Sequence, residues 1–287
     1  MAVSFDFIRR LGSGHFGEVW LVNDIGLGTQ RAVKLIPPDK ILSSANFFQE
    51  AQLLKLAEHP SIVKVDDTGT IEDGRIYVAM EYLEKGSLED ETKGAYVPLS
   101  RAKRLMVDVL RGLEYAHSKG IIHRDIKPAN ILIGDNLQGK LSDFGLAITK
   151  STLPKAVGVK DYAYLIHLAP EVTTITDYSI ASDIFACGVT LYRLVNGDSF
   201  LPRLALNKVR EGIINGTYPD RNRYREFIPH QLKKIINRAM SIDPAARFTS
   251  AEALRHALEK IPTLANWNEQ TLSNSLHPNR MPSLSIS

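Results

Sequence analysis

The segment from His123 to Asn130 is the feature that most constrains this chain. Three charged side chains and one amide fall within its eight positions, between the apolar runs Ile121-Ile122 and Ile131-Leu132-Ile133. Such a density of polar groups between buried strands costs free energy unless the groups are paired or take part in chemistry. We therefore interpret residues 123–130, the polar loop, as part of a functional site.

A second polar motif follows shortly after the polar loop. Asp143-Phe144-Gly145 stands directly after the pair Leu141-Ser142. Carboxylate and amide oxygens are the ligands that a hard cation such as Mg²⁺ takes together with nucleotide phosphates. Asn130 and Asp143 are therefore the candidate metal ligands.

A glycine cluster near the N-terminus indicates a phosphate site. Gly12, Gly14 and Gly17 would let backbone N–H groups approach phosphate oxygens without side-chain clashes. A dinucleotide fingerprint requires a helix directly after the glycines, whereas residues 18–22 alternate as a strand. Two interpretations stay open, a hairpin that covers phosphate and a plain glycine-rich turn.

Lys34 lies inside an apolar strand pattern at residues 31–36. It either extends its ammonium group from a sheet edge to solvent or reaches phosphates and pairs with an acid. Glu50, in a helix predicted over residues 44–57, is the candidate acid, and Glu58 competes for that role. The alternative for Glu50 is a solvated helix face.

Composition excludes several classes of protein. Hydrophobic residues make up 44% of the 287 residues and charged residues 23%, so a sizeable core is expected. A net charge of +3 is too small to indicate nucleic acid as the main partner. The single cysteine, Cys187, excludes a disulfide framework and fits a reducing, cytoplasmic compartment. No apolar run approaches the ~20 residues of a membrane helix, and no signal peptide is visible.

Hydrophobic periodicity changes near Gly86. Before it the pattern predicts mostly strands, including apolar runs at residues 62–65 and 76–82, with one helix. After it the pattern predicts helices over 99–118, 183–195, 230–240 and 250–261, the last one capped by Thr249 or Ser250. The tail 262–287, rich in Ser, Asn and Pro, is expected to lie over the surface or to be disordered.

Together these motifs resemble the eukaryotic-type protein kinase family, serine/threonine branch, from about Phe5 to Ile261. The resemblance also covers Ala169-Pro170-Glu171, Asp183, and Arg247 after Asp243-Pro244. It implies an α+β, bilobal fold with ATP between the lobes. The small strand-rich N-lobe would span 1–83, the larger helical C-lobe 84–261, and the polar tail 262–287.

The resemblance also implies roles for individual residues. Asp125 would act as the catalytic base on the substrate hydroxyl, Lys127 would approach the γ-phosphate, and Asn130 and Asp143 would hold Mg²⁺. Lys34, paired with Glu50, would bind the α- and β-phosphates. The implied nucleotide-binding residues are Leu11, Gly12, Gly14, Phe16, Gly17, Val19, Ala32, Lys34, Met80, Glu81, Leu83 and Leu132. Glu171 and Arg247 would form a buried ion pair.

The implied activity is phosphate transfer from ATP to serine or threonine hydroxyls of a protein substrate, since Lys127 favours this branch over tyrosine kinases. One alternative is a pseudokinase, a binding module that uses the fold without efficient transfer. The presence of Lys34, Glu50, Asp125, Asn130 and Asp143 argues against it. A small-molecule kinase would generally lack the Ala-Pro-Glu motif and Arg247. We expect neither nucleic acid nor a membrane as a partner.

The segment 148–168 departs from the family pattern. Tyr164 stands where many serine/threonine kinases carry a threonine that contacts the catalytic Asp and Lys, and Lys160 stands at the usual phosphoacceptor position. In related kinases the arginine at the position of Arg124 grips a phosphate in this segment. Lys160 cannot be phosphorylated, and Asp161 is the acid that could face Arg124 in place of a phosphate. Autophosphorylation, where it occurs, is expected at hydroxyls elsewhere in the segment. These are Thr149, Ser151, Thr152, Tyr162 and Tyr164.

The substrate groove also departs from one common pattern. Kinases that select basic residues before the target hydroxyl usually carry carboxylates at the positions of Ser87, Ala129 and Arg193. The sequence therefore predicts indifference to basic residues or a preference for acidic ones, with Arg193 repelling basic side chains. The alternative is that Arg193 pairs with an internal acid and never meets the substrate.

Overall fold

The N-terminal residues form one five-stranded antiparallel sheet. The computed structural model describes residues 5–14, 17–38, 58–144, 162–175 and 177–262. The sheet has the order β1-β2-β3-β5-β4. Its strands are β1 (Phe5–Gly14), β2 (Gly17–Asp24), β3 (Thr29–Ile36), β4 (Val65–Thr70) and β5 (Ile76–Glu81).

The two faces of the sheet bury different residues. Val33 and Leu35 of β3 belong to a small cluster on one face, whereas Ala32 and Ile36 belong to the main core. Side chains alternate along a strand, so Lys34 shares its face with Ala32 and Ile36. Met80 lies on the same face, directly opposite Ala32. The alternation in the sequence thus directs Lys34 toward the C-terminal part of the chain.

The strand predicted over residues 62–65 is wrong in its position. The fourth strand runs over Val65–Thr70, and residue 62 makes an isolated parallel bridge to Leu141 instead. The strand lies at the edge of the sheet and carries the polar sequence VDDTGT, because one side of an edge strand faces water. The apolar run at residues 62–65 therefore marks buried residues at and before the start of the strand, and not the strand itself.

Beyond the sheet the described chain is mainly helical. Its elements are α1 (Leu88–Thr92), α2 (Leu99–Ser118), β6 (Ile131–Ile133), β7 (Gly139–Leu141), α3 (Tyr162–Leu165), α4 (Pro170–Ile175), α5 (Ile180–Asn196), α6 (Leu206–Asn215), α7 (His230–Ala239) and α8 (Ala251–Glu259). β6 and β7 pair antiparallel. The α+β, bilobal fold predicted above is confirmed.

Helix boundaries follow capping residues. α2 spans the predicted residues, and its apolar stripe is buried. α5 begins three residues before the predicted start, since Ser179 and Ser182 form a reciprocal capping box there. Two residues, Thr249 and Ser250, were predicted as possible caps of α8, and Ser250 is the one that caps it. The helix predicted over 44–57, the tail from residue 263 and residues 145–161 lie outside the described residues.

A buried ion pair connects α4 to the loop before α8. The Arg247 guanidinium donates to both carboxylate oxygens of Glu171 at 2.6 and 2.8 Å and to backbone oxygens of Ala181, Ser241 and Ile242. The Arg247 side chain is fully buried. The predicted pair is therefore confirmed, and Arg247 joins three segments of the helical lobe.

Removal of Arg247 should destabilise the helical lobe. In Arg247→Ala the Glu171 carboxylate and three carbonyl groups lose their donor, so we expect a loss of about 3–5 kcal/mol in the free energy of unfolding. Urea denaturation measures this. Arg111→Ala is the matched control, because Arg111 is half exposed and its ion pair with Glu259 is worth ~1 kcal/mol or less. Equal effects of the two substitutions would contradict the scaffolding role.

No helix among the described residues is long and apolar enough to cross a membrane.

Candidate active site

The backbone of the polar loop is held by one buried carboxylate. Asp183, in the first turn of α5, accepts from the backbone N–H of His123 at 2.8 Å and of Arg124 at 2.9 Å. His117, near the end of α2, lies 2.9 Å from the same carboxylate through its Nε2. Asp183 is 1% exposed. Because a buried carboxylate needs such partners, the two helices and the loop are fixed to one another.

Two residues of the site adopt left-handed backbone conformations. Arg124 has φ 71° and Asp143 has φ 53°. Such conformations cost on the order of 1 kcal/mol or more for residues other than glycine, and they persist where surrounding contacts determine them. At Arg124 the contact is the hydrogen bond to Asp183.

Asp125, Lys127 and Asn130 form one cluster. Lys127 Nζ lies 2.9 Å from Asp125 Oδ2, and the Asn130 amide nitrogen donates to the backbone oxygen and to Oδ2 of Asp125 at 2.7 and 2.8 Å. The amide nitrogen of Asn130 is thus the atom that faces Asp125. Burial raises the pKa of Asp125, and the Lys127 charge opposes this shift. The second oxygen, Oδ1, is buried without a hydrogen-bond partner among the described residues.

A second ion pair joins the sheet to the segment after β7. Lys34 Nζ lies 2.8 Å from Asp143 Oδ1. Burial is the largest single influence and by itself would raise the pKa of Asp143. The charge and hydrogen bond of Lys34, together with the nearby charge of Lys127, outweigh it, so the pKa is lowered. The pairing of Lys34 with Glu50 falls outside the described residues. The structure therefore brings two of the predicted site residues together from the two lobes.

Apolar residues of the predicted nucleotide site pack against the main core. Leu11, Val19, Leu83 and Leu132 are partly buried and pack against the main core, to which Ala32 and Met80 belong. A cavity is lined by Lys34, Met80, Asp143 and Phe144, with six further residues around them.

Glu81 and the glycines of the hairpin, which belong to the predicted nucleotide site, also have roles in the fold itself. Glu81 uses its carboxylate internally, accepting from Lys140 Nζ at 2.6 Å and from the backbone N–H of Lys64. Gly17 has φ 130°, and any side chain there would collide with the Leu35 carbonyl group, so the hairpin requires glycine. Gly12 and Gly14 lie at the end of β1. Phe16 is outside the described residues.

Arg193 does not face a substrate groove as the sequence predicted. It is 6% exposed, and its guanidinium donates to Asp198 at 2.7 and 2.8 Å and to Glu89 at 3.0 and 3.1 Å. Two carboxylates neutralise its charge, so the predicted repulsion of basic side chains by Arg193 is wrong. The alternative, pairing with internal acids, is confirmed. The effect of Ala129 and Ser87 on substrate preference stays a prediction.

Tyr164 lies beside the cluster. Lys127 Nζ stands over the Tyr164 ring, 5.6 Å from its centroid, and the Tyr164 hydroxyl is 2.8 Å from that of Tyr178. Sequence reasoning identified Tyr164 as a departure but missed Tyr178 and His117. No sequence signal indicates either one, because they reach the polar loop only through tertiary packing. Lys160, Asp161, Thr149, Ser151, Thr152 and the side chain of Tyr162 lie outside the described residues.

This arrangement is that of a phosphoryl-transfer site. A buried acid is paired with an ammonium group and an amide, and a strand lysine meets a second carboxylate beneath a glycine hairpin. A family model described as a protein kinase domain matches residues 5–258. The chain belongs to the protein kinase family, and the predicted resemblance is confirmed.

Curated relatives agree with this assignment. The serine/threonine-protein kinase PknJ of Mycobacterium tuberculosis is 32% identical over 263 residues, which cover 87% of this chain and 44% of PknJ. The serine/threonine-protein kinase cds1 of Schizosaccharomyces pombe is 32% identical, over 88% of this chain and 57% of cds1. SIK1 of Rattus norvegicus, also a serine/threonine-protein kinase, is 31% identical over 94% of this chain and 34% of its own length. The chain thus spans between a third and somewhat over half of these relatives.

Loss of the Asp183 charge should loosen the polar loop. In Asp183→Asn one acceptor oxygen becomes a donor, so one of the two loop N–H groups loses its partner. Hydrogen–deuterium exchange at His123 and Arg124 should then accelerate about tenfold or more. Asp243→Asn, at the exposed cap of the turn before Arg247, should leave those two amides unchanged. Unaltered exchange in Asp183→Asn would refute the assigned role.

The buried His123 should make the fold sensitive to mild acid. Burial lowers its pKa from 6.5, and the carboxylates of Asp183, Asp125 and Asp143 do not overcome this effect. A histidine with a depressed folded-state pKa binds its proton more readily in the unfolded chain, so its contribution is present above about pH 6.5 and is lost as pH falls below that value. We expect a loss of ~1 kcal/mol between about pH 6.5 and pH 5.5.

Urea denaturation at both pH values measures this loss. His123→Gln should remove that part of the slope because glutamine does not titrate. His256→Gln, at an exposed position, should retain it. An identical slope in wild type and His123→Gln would show that His123 is not the group responsible.

Proposed function

We propose that this domain transfers the γ-phosphate of ATP to serine or threonine hydroxyls of protein substrates, with Asp125 as the catalytic base. The state of the Asp125 carboxylate carries the proposal. Oδ2 is bound by Lys127 and Asn130, whereas Oδ1 is buried without a hydrogen-bond partner among the described residues. A substrate hydroxyl would donate to Oδ1, and Asp125 would orient it and accept its proton.

Mg²⁺ fits the donors on either side of this carboxylate. Asn130 uses its amide nitrogen toward Asp125, so its amide oxygen is the atom that would bind the ion, and Asp143 has a second oxygen besides the one that Lys34 contacts. Within the described ranges no group of three or more His, Cys, Asp or Glu could hold a metal ion alone. Phosphate oxygens would therefore complete the coordination sphere, as is usual for Mg²⁺. When bound, the ion would neutralise charge on the transferred phosphate.

ATP would lie between the sheet and the segment after β7. Lys34, paired with Glu50, would bind the α- and β-phosphates, and Lys127 would approach the γ-phosphate. Ala32, Val19 and Leu132 would enclose adenine. The other contacts proposed for the nucleotide come from Leu11, Gly12, Gly14, Phe16, Gly17, Met80, Glu81 and Leu83. The packing of Leu11, Val19 and Leu132 against the core that contains Ala32 and Met80 supports this position.

The relatives support a protein as the substrate, because each is named a serine/threonine-protein kinase. We propose lobe boundaries of 1–83 and 84–261, followed by a tail at 262–287, since the change from strands to helices falls between Glu81 and Leu88.

Cys187, buried and unbonded, fits the reducing environment of the cytoplasm.

Removal of the Lys34–Asp143 pair should abolish transfer. Lys34→Ala and Asp143→Ala should each lower kcat/KM about 100-fold or more, because both side chains act on phosphate or metal. Lys64→Ala is the matched control for Lys34, since Lys64 is an exposed N-lobe lysine that also pairs with a carboxylate. A transfer assay with labelled ATP and a protein substrate measures the three variants, and near wild-type activity in Lys34→Ala would overturn the assignment.

Asp125→Asn separates catalysis from binding. The amide keeps the shape of the carboxylate but accepts no proton, so transfer should fall about 100-fold or more while nucleotide binding remains. Wild-type protein that binds ATP and shows no more transfer than Asp125→Asn would instead support the pseudokinase alternative. Calorimetry measures the binding.

A further inference from the structure

We propose that Tyr164 is a positioning residue that holds the Lys127 ammonium group through the face of its ring. The proposal rests on the function assigned above, because Lys127 is part of the proposed catalytic cluster. Two observations support it: Lys127 lies over the Tyr164 ring, and a hydrogen bond holds that ring in place.

The ring and the carboxylate contact the same ammonium group. Lys127 Nζ lies 2.9 Å from Asp125 Oδ2 and 5.6 Å from the centroid of the Tyr164 ring. A cation within about 6 Å of a ring centroid is attracted to the negative face of the ring, and more strongly where water is excluded. Lys127 is 17% exposed and Asp125 is 13% exposed. The ammonium group thus contacts both the Asp125 carboxylate and the Tyr164 ring where water is largely excluded.

The Tyr164 hydroxyl contacts another tyrosine and so helps to hold the ring in place. It lies 2.8 Å from the Tyr178 hydroxyl, on the loop between α4 and α5. Tyr178 precedes the Ser179 cap of α5, the helix that carries Asp183. The residue directly before the cap of that helix therefore holds the ring that contacts Lys127.

The state of Asp125 agrees with a contact through the ring. A hydroxyl at position 164 that bound the carboxylate would occupy one of its oxygens, whereas Oδ1 has no hydrogen-bond partner in the part of the chain that the structure describes. The ring supports Lys127 and leaves Oδ1 to the substrate hydroxyl. Tyr164 would therefore affect turnover through Lys127, with little effect on the binding of ATP.

Kinetics of the wild type and four variants test this coupling. Tyr164→Leu should lower kcat about tenfold and leave the KM for ATP within about twofold, since the lost cation–π contact is of that strength. Tyr164→Phe keeps the ring and should stay within about threefold of wild type. In a Lys127→Met background, Tyr164→Leu should cause no further loss, because its target is already gone. Equal losses in both backgrounds would overturn the proposal.

A matched control removes a similar contact elsewhere. The Arg225 guanidinium lies 4.3 Å from the ring centroid of Tyr96. Tyr96→Leu should affect thermal stability in the way that any lost tyrosine does, and it should leave kcat unchanged. A tenfold loss of kcat in Tyr96→Leu would mean that general loosening explains the effect at Tyr164, which would contradict the proposal.

An NMR measurement tests the contact without any need for transfer. In protein labelled with ¹³C at lysine Cε, the signal absent from Lys127→Arg identifies Lys127. Ring currents should shift its ε-methylene protons upfield in wild type and Tyr164→Phe, and the shift should disappear in Tyr164→Leu. An unshifted wild-type signal would refute the contact. Absence of wild-type transfer would count against the proposed function, and the NMR result would still decide on Tyr164.

Discussion

The rest of the site depends on the buried carboxylate of Asp183. Its two oxygens bind consecutive N–H groups of the polar loop and the imidazole of His117, so one charge fixes a loop and two helices. The loop can then keep a left-handed residue at Arg124 and present Asp125 in a fixed orientation. A charge buried in this way is stable because every partner is a donor, and its removal would leave donors unsatisfied in the interior.

Contacts between the two lobes converge on the chain around β7. Leu141 exchanges backbone hydrogen bonds with residues 61 and 63 before β4, and two residues later Asp143 meets Lys34 of β3. Glu81, at the end of β5, binds Lys140 of β7. The sheet is thus connected to the C-lobe beside the proposed nucleotide site. A change in the relative orientation of the lobes would therefore change the distance between Lys34 and Asp143 directly.

Much of the site was predictable because its chemistry is local in sequence. Asp125, Lys127 and Asn130 lie within six positions and meet in the structure, and the spacing of Asp143 after Leu141 placed it nearby. The long amphipathic helices were equally predictable from their period. The edge strand Val65–Thr70 and short helices such as Leu88–Thr92 were not, because their hydrophobic signal is weak and tertiary packing decides their conformation.

The sequence by itself determined the class of fold, the kinase motifs and the residues that carry their charges. Tertiary structure decided which charges meet one another. Arg193 was expected to repel substrates, yet its buried guanidinium is paired with Glu89 and Asp198, from two other segments. The sequence did not indicate which residues Tyr164 contacts. In the folded chain its ring lies at Lys127 and its hydroxyl at Tyr178. The physical reason is that electrostatic partners act over a few ångströms in space, and their separation along the chain carries no record of that proximity.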